Sequence, residues 1–292
     1  MTRTHKSSSR PFGARAAAKP LLYLLLIAAT AVALFPVAYV FMASFKTPQE
    51  LLVGGTRLLP KKFTFDNYVT AWNAANFSRY TLNSVCYAGI VTACTVLFST
   101  MLGYGFERKR FPGRKFMLGS FYFSMFVAGA VTIYPVFKLI VGAQLHHSLL
   151  GLILATLGGS SILPTLLVIG YLKGIPRELD ESAIIDGCGA FGVYAKVLLP
   201  MLTPVIGVVT MITFQGTWNN YMLPLALTLT QPDNRPLSVG VTSLAYVTGQ
   251  QGMAQWDLLI AGSCMAIVPI AIVYLWANRF FVGGLSAGAI KG

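Results

Sequence analysis

Chemistry at a fixed site needs acids, imidazoles, thiols or cations held close together, and this sequence offers few such groupings. It has nine acidic residues, and four of them crowd into one stretch: Glu178, Asp180, Glu181 and Asp186. Clustered carboxylates can hold a cation, pass a proton or meet Arg and Lys across a protein contact. His146 and His147 are adjacent, which is poor metal geometry without further ligands. Cys86, Cys94, Cys188 and Cys264 form no Cys-x-x-Cys pair, and three lie in apolar runs, so they read as small hydrophobes. The C-terminus carries Gly283 and Gly288 at the spacing of a phosphate loop, but Ala289 stands where that loop requires Lys. This motif therefore cannot serve ATP hydrolysis, and the acid cluster is the feature that needs a place in the fold.

The elements around it are apolar. Hydrophobic residues make up 55% of the chain and charged residues 11%, with a mean hydropathy of +0.66. A soluble domain carries about 25% charged residues, so the solvent of this chain is mostly lipid. Six runs reach the roughly 20 apolar residues that cross a bilayer: Leu21–Ser44, Leu82–Phe106, Phe116–Phe137, Leu149–Leu172, a run starting near Leu199 inside an uncharged stretch that ends at Gln231, and Leu258–Ala277. The first exceeds the about 7–15 apolar residues of a cleaved signal and reads as a retained span. The expected fold is an all-α integral membrane protein with six transmembrane helices. Pro36, Pro135, Pro164, Pro204, Pro224 and Pro269 predict kinks within or near them.

The net charge of +13 is spread in short clusters between the apolar runs, a pattern of membrane flanks and not of a nucleic-acid surface. Fifteen of the 22 basic residues fall on one side of a six-span layout. They lie in the tail through Lys19, between Arg108 and Lys115, at Lys173, Arg177 and Lys196, and at Arg279 and Lys291. By the positive-inside rule this side, with both termini, is cytoplasmic. The expected organisation is a tail over residues 1–20, a membrane domain over 21–281 containing a cytoplasmic loop at 176–200, and a tail over 282–292. Sizeable outer loops are expected from about Phe45 to Thr81 and from about Leu227 to Asp257.

The acid cluster lies in that cytoplasmic loop, between the fourth and fifth spans. Pro176 suits a helix start, and Glu178, Asp180 and Glu181 fill the first turns, where the helix dipole favours acids. Leu179, Ala183 and Gly187 recur every four residues and share a face that narrows toward its end. Gly187, Gly189 and Gly192 are expected to break the helix. A second piece follows, with Phe191, Tyr194 and Val197 or Leu198 on its apolar side. On these grounds the loop is either a docking helix for a soluble partner or a solvated connection with ordinary caps.

A resemblance separates the two. Residues 181–200 resemble the Glu-Ala-Ala loop of ABC importer permeases, E-A-A-x3-G-x9-I-x-L-P. Glu181, Ala183, Gly187, Leu199 and Pro200 match in register, with Ser182 and Val197 as mild replacements. The ending RFFVGGLSAGAIKG and the run Trp218-Asn219-Asn220-Tyr221 with Pro224-Leu225 resemble the sugar-importer branch, in particular the second permease subunit of the maltose and multiple-sugar systems. The resemblance covers nearly the whole chain after residue 20. It implies that Glu181, Ser182, Ala183, Asp186, Gly187, Leu199 and Pro200 belong to a coupling helix seated on an ATPase subunit. It also implies that Gly288, Lys291 and Gly292 reach toward the ATPase pair. The implied partners are two ATPase subunits holding ATP and Mg, a second and different permease, an external solute-binding protein contacted through residues 227–257, membrane lipid and a sugar. The chain itself would bind no cofactor or metal and would not be an enzyme.

On the fifth helix, Gln215, Trp218 and Asn219 share a face. They either line a solute path or hydrogen-bond between helices. The expected function is import of a sugar or oligosaccharide by alternating access. The alternatives are the same architecture with a glycerol phosphodiester, polyol or peptide as cargo, or a secondary transporter. The last is disfavoured because the six runs bury almost no ionisable group.

Overall fold

The structure, a computed structural model, describes residues 12–53, 57–246 and 255–289. Among these residues every regular element is a helix. In chain order they are α1 (Phe12–Ala43), α2 (Pro48–Val53), α3 (Asp66–Ala74), α4 (Phe77–Arg108), α5 (Arg114–Ser124), α6 (Gly129–Gly142), α7 (Leu149–Ser160), α8 (Ile162–Leu172) and α9 (Glu178–Ile185). There follow α10 (Ala190–Gly192), a π-helical turn (Val193–Leu198), α11 (Leu199–Met201), α12 (Thr203–Trp218), α13 (Met222–Leu227), a 3-10 turn (Pro232–Asn234), α14 (Leu237–Ser243), a second 3-10 turn (Leu244–Tyr246) and α15 (Trp256–Ala289).

Three helices hold uninterrupted stretches long and apolar enough to cross a bilayer: Leu22–Ala43 in α1, all of α4, and Trp256–Ala277 in α15. The other three expected spans are bent pairs. The axes turn by 109° between α5 and α6, by 44° between α7 and α8, and by 77° between the helical run Ala190–Met201 and α12. Two of these breaks have a proline cause. Pro164 and Pro204 carry no N–H for the carbonyls of Ser160 and Pro200, four residues back, and their rings crowd those oxygens. At the second break the Thr203 hydroxyl donates to Pro200 O at 2.6 Å and replaces the missing donor. The sharpest bend, after Ser124, contains no proline, and the run expected as one span at Phe116–Phe137 with a kink near Pro135 is two helices that part earlier. Conversely, Pro36, Pro135 and Pro269 lie inside helices that continue through them.

The packing has a clear centre. Along α4, Tyr80, Tyr87, Ala88, Val91, Thr95, Ser99 and Phe106 are all buried, and the helix packs chiefly against α8 and α12. One apolar cluster joins Tyr80 and Ala88 to Phe214, Trp218, Leu237, Val241, Leu258 and Ala261. Another joins Val168 and Leu172 to Ala183, Val193, Leu198, Leu202 and Val209. By contrast the Leu22–Ala43 stretch of α1 is apolar on every side and exposed along most of its length, with Val32 at 74%, as suits a helix solvated by hydrocarbon.

The stretch expected as an outer loop at 227–257 is partly core. Residues Leu237, Val239, Val241 and Leu244 are buried, and α14 packs on α4 and α15. The Leu237 N–H donates to Ser84 Oγ at 2.7 Å. Gly240 permits this approach, because a Cβ there would collide with the buried Tyr80 ring. Gly240→Ala is therefore expected to destabilise the protein by about 1–3 kcal/mol through overpacking. Thermal unfolding of the purified chain in detergent checks this as a lowered midpoint. The first outer stretch is likewise ordered: Asn67 Nδ2 donates to Ser44 O at 2.9 Å and Lys46 O at 2.8 Å, clamping α3 to the end of α1.

Candidate functional site

The segment around Glu181 folds as a short helix with a defined end. Three acids occupy the first turns of α9, where the unpaired N–H groups favour negative charge. At the other end Gly187 adopts φ +85°, Cys188 N–H donates to Ala183 O at 2.9 Å and Gly187 N–H to Ile184 O at 3.0 Å. This pair of bonds is a Schellman closure, whose left-handed residue is best supplied by glycine. The helix break expected here thus falls at Gly187. Gly189 follows in an extended conformation. Gly192 does not break anything, since it lies inside α10.

The placed side chains divide the segment into two faces. Glu181, Ser182, Asp186 and Gly187 are exposed. Ala183 is buried against Val168, Leu172, Val193 and Leu198, so this small residue admits the chain's own helices rather than leaving a stripe open for another backbone. Leu199 is half-buried and Pro200 exposed at the start of α11. The outer face instead shows Ile184, Ile185 at 85% exposure and Phe191 at 72%. Phe191 and Tyr194, expected to share an apolar side, are placed differently: Tyr194 is buried and Phe191 is exposed. Asp180 also turns inward and pairs with Arg108, Oδ2 to Nε at 2.9 Å.

A second feature is a cavity of about 670 Å³ between α6, α7, α8 and α12. Its wall includes Gly129, Thr156, Gly158, Gly159, Ser160, Thr213, Gly216, Thr217 and Asn220, and among the described residues none that lines it is ionisable. A Cβ at Gly129, Gly158, Gly159 or Gly216 would meet nothing within 4 Å, so these glycines enlarge the space. Tyr87 holds one side, its hydroxyl 2.8 Å from Thr156 Oγ1 and accepting from Asn220 Nδ2 at 3.4 Å.

None of Gln215, Trp218 and Asn219 lines this cavity. Trp218 is buried on the opposite side, its indole N–H donating to Ala266 O at 3.2 Å and its ring stacked on Phe214 at 5.5 Å. Gln215 and Asn219 are exposed. The lining residues Thr213, Gly216, Thr217 and Asn220 follow the i, i+3, i+4, i+7 rhythm of the neighbouring face. Small and weakly polar residues on that face were the available signal.

The histidine pair sits at a turn, with Asn234 Nδ2 donating to His147 O at 2.9 Å, and no group of three metal-binding side chains occurs among the described residues. Helix α15 continues through Gly288 to Ala289, while Lys291 and Gly292 lie outside the described residues.

Comparison with known proteins gives this geometry a family. Residues 95–283 match the binding-protein-dependent transport system inner membrane component family. The chain is 33% identical over 262 residues to the arabinooligosaccharides transport system permease protein AraQ of Bacillus subtilis strain 168, covering 89% of this chain and 91% of that protein. It is 30% identical over 295 residues to the diacetylchitobiose uptake system permease protein NgcG of Streptomyces coelicolor, covering 100% and 93% of the two. Among solved structures, a bacterial ABC transporter involved in the import of the acidic polysaccharide alginate superposes with a TM-score of 0.76 at 21% identity, covering 96% of this chain and 100% of that one. By matched family and by fold, the chain belongs to the binding-protein-dependent transport system inner membrane components, as the permease subunit of an ABC transporter whose ATPase is a separate chain.

Proposed function

We propose that this permease imports a neutral oligosaccharide by alternating access, with α9 as the coupling helix. In this reading the membrane is crossed six times: by α1, by α4, by each of the three bent pairs and by α15. The basic flanks put both termini and α9 in the cytoplasm. Two ATPase subunits, binding ATP and Mg, meet the exposed face of Glu181, Ser182, Ile184, Ile185 and Asp186. A second, different permease completes the pathway, and an external binding protein delivers solute at the opposite end, against the exposed part of the 227–257 stretch. The tail at Gly288, Lys291 and Gly292 reaches the ATPase pair.

The observation that carries the choice of cargo is the uncharged cavity. Its volume falls in the roughly 300–1,000 Å³ range of small-molecule sites. Threonine, serine and asparagine at its wall can exchange hydrogen bonds with sugar hydroxyls as a solute passes. A charged solute would enter without a counter-charge, at a cost of several kcal/mol per buried ion. Relatives named for arabino-oligosaccharides and diacetylchitobiose support the same class. A solved alginate ABC transporter in complex with an oligosaccharide-bound periplasmic protein supports the binding-protein partner.

The test is uptake by cells carrying the complete transporter, against cells lacking only this chain. Labelled neutral di- to tetrasaccharides, hexuronate oligomers, glycerophosphodiesters and short peptides are offered singly. Uptake dependent on this chain is expected for a neutral saccharide and at most about a tenth as fast for the charged solutes. Dependence confined to a charged solute or a peptide would overturn the cargo assignment and leave the permease role standing.

A further inference from the structure

Helix α9 is joined by the chain to α8 before it and to the α10–α12 segment after it, yet its buried polar contacts run sideways, to the end of α4. Arg108, the last residue of α4, lies with Nε 2.9 Å from Asp180 Oδ2, and the two side chains are only 4% and 13% exposed. Its Nη2 donates to Ile175 O at 2.8 Å. Beside it, Arg177 Nη2 donates to Glu107 O at 3.1 Å and lies 3.4 Å from Glu107 Oε1, while Arg114 Nη2 lies 3.7 Å from Oε2. A cation in the last turn of α4 is favoured by the helix dipole. The Asp180 contact is an ion pair rather than an aligned hydrogen bond, and Asp180 Oδ1 has no hydrogen-bond donor among the described residues.

The segment after α9 is tied to the same helix. Thr100 Oγ1 lies 2.9 Å from the Tyr194 hydroxyl, and the Tyr104 hydroxyl donates to Ala190 O at 3.1 Å. At the far end of α4, Tyr87 grips Thr156 and Asn220 in the cavity wall. Tyr87 and Arg108 are about 30 Å apart along the axis at 1.5 Å per residue. One rigid rod thus has the acid-bearing helix at one end and the cavity at the other.

Resting on the reading of α9 as the coupling helix, we propose that Arg108 and Asp180 are positioning residues that pass the movement of α9 into α4, and through Tyr87 into the cavity wall. A buried ion pair contributes little net stability compared with packed apolar residues, because both charges are desolvated. What it provides is a joint with one register. An apolar contact slides, whereas a carboxylate displaced from Arg108, its one cation among the described residues, leaves two unpaired buried charges, so α4 follows α9. Glu107, between Arg177 and Arg114, braces the same corner.

The experiment reads solute moved per ATP hydrolysed, with the complete transporter in vesicles and its loaded binding protein outside. Arg108→Glu and Asp180→Arg are each expected to lower that ratio about tenfold while stimulated hydrolysis persists. The double reversal is expected to recover it to within about threefold, as a direct pair should. A normal ratio in either single variant overturns the proposal, and so does a double variant no better than the singles. If the reversed chains fail to assemble, Asp180→Asn, similar in size but uncharged, takes their place. It is expected to lower the ratio about threefold or more, and a wild-type ratio overturns the joint. Glu181→Arg, exposed and outside the joint, separates the two layers. Normal transport in that variant and in Gly187→Trp defeats the coupling reading itself, whereas their failure beside normal Arg108 and Asp180 variants defeats the joint alone.

Discussion

Reversing one exposed charge, Glu181→Arg, is expected to lower uptake about a hundredfold while the chain still inserts and folds. Glu181 is exposed on α9, and substitutions at such positions change stability by only about 0.5 kcal/mol. If its face seats on a basic ATPase surface, reversal replaces attraction by a like-charge contact that costs several kcal/mol, and each 1.4 kcal/mol is about a factor of ten. Gly187→Trp is expected to do the same by another route. The residue sits at φ +85°, where a side chain costs roughly 1–2 kcal/mol, and an indole there stands out on the exposed side of the helix end. The check is three measurements on each variant: yield in the membrane fraction, ATPase stimulation by loaded binding protein, and solute uptake. Wild-type values of the last two in both variants would remove α9 from the coupling role.

The second large effect is expected at the cavity. Gly216→Leu fills space without striking the protein, since a Cβ there meets nothing within 4 Å. Within a helix the change from Gly to Leu is favourable by about 0.8 kcal/mol, so the thermal midpoint is expected to hold or rise. Uptake is nevertheless expected to fall about tenfold or more, because the new side chain occupies the wall that solute must pass. Gly158→Leu is expected to behave alike, as Gly158 lines the same space and is equally unhindered. Transport at wild-type rate and apparent affinity in both variants, with co-purification of the ATPase unchanged, would place the solute path elsewhere.

Some of this architecture was legible in the residues because single-segment physics controls it. A bilayer demands long apolar runs, so Leu22–Ala43, α4 and Trp256–Ala277 emerge where expected. Pro164 and Pro204 cannot donate to the preceding turn, so breaks appear just before them. Other features left no such trace. The 109° turn between α5 and α6 has no proline, and the short helices between 227 and 257 carry the turn residues of a loop while burying Leu237 and Leu244.

The division at the functional segment has the same origin. The sequence by itself determined that Glu181 and Ser182 lie on a short acid-headed helix that ends in the glycine-rich stretch after Asp186, because caps, dipole and φ preference act within a few residues, while the structure decided that Gly187 alone closes it. Only the tertiary structure decided that Ala183 and Asp180 turn inward, that Asp180 meets an arginine at the end of α4, and that Thr213, Gly216, Thr217 and Asn220 rather than Gln215, Trp218 and Asn219 face the cavity. A helix apolar on all sides carries no hydrophobic stripe to say which face is inward. In lipid that choice is made by the neighbours it packs against, which lie far away along the chain.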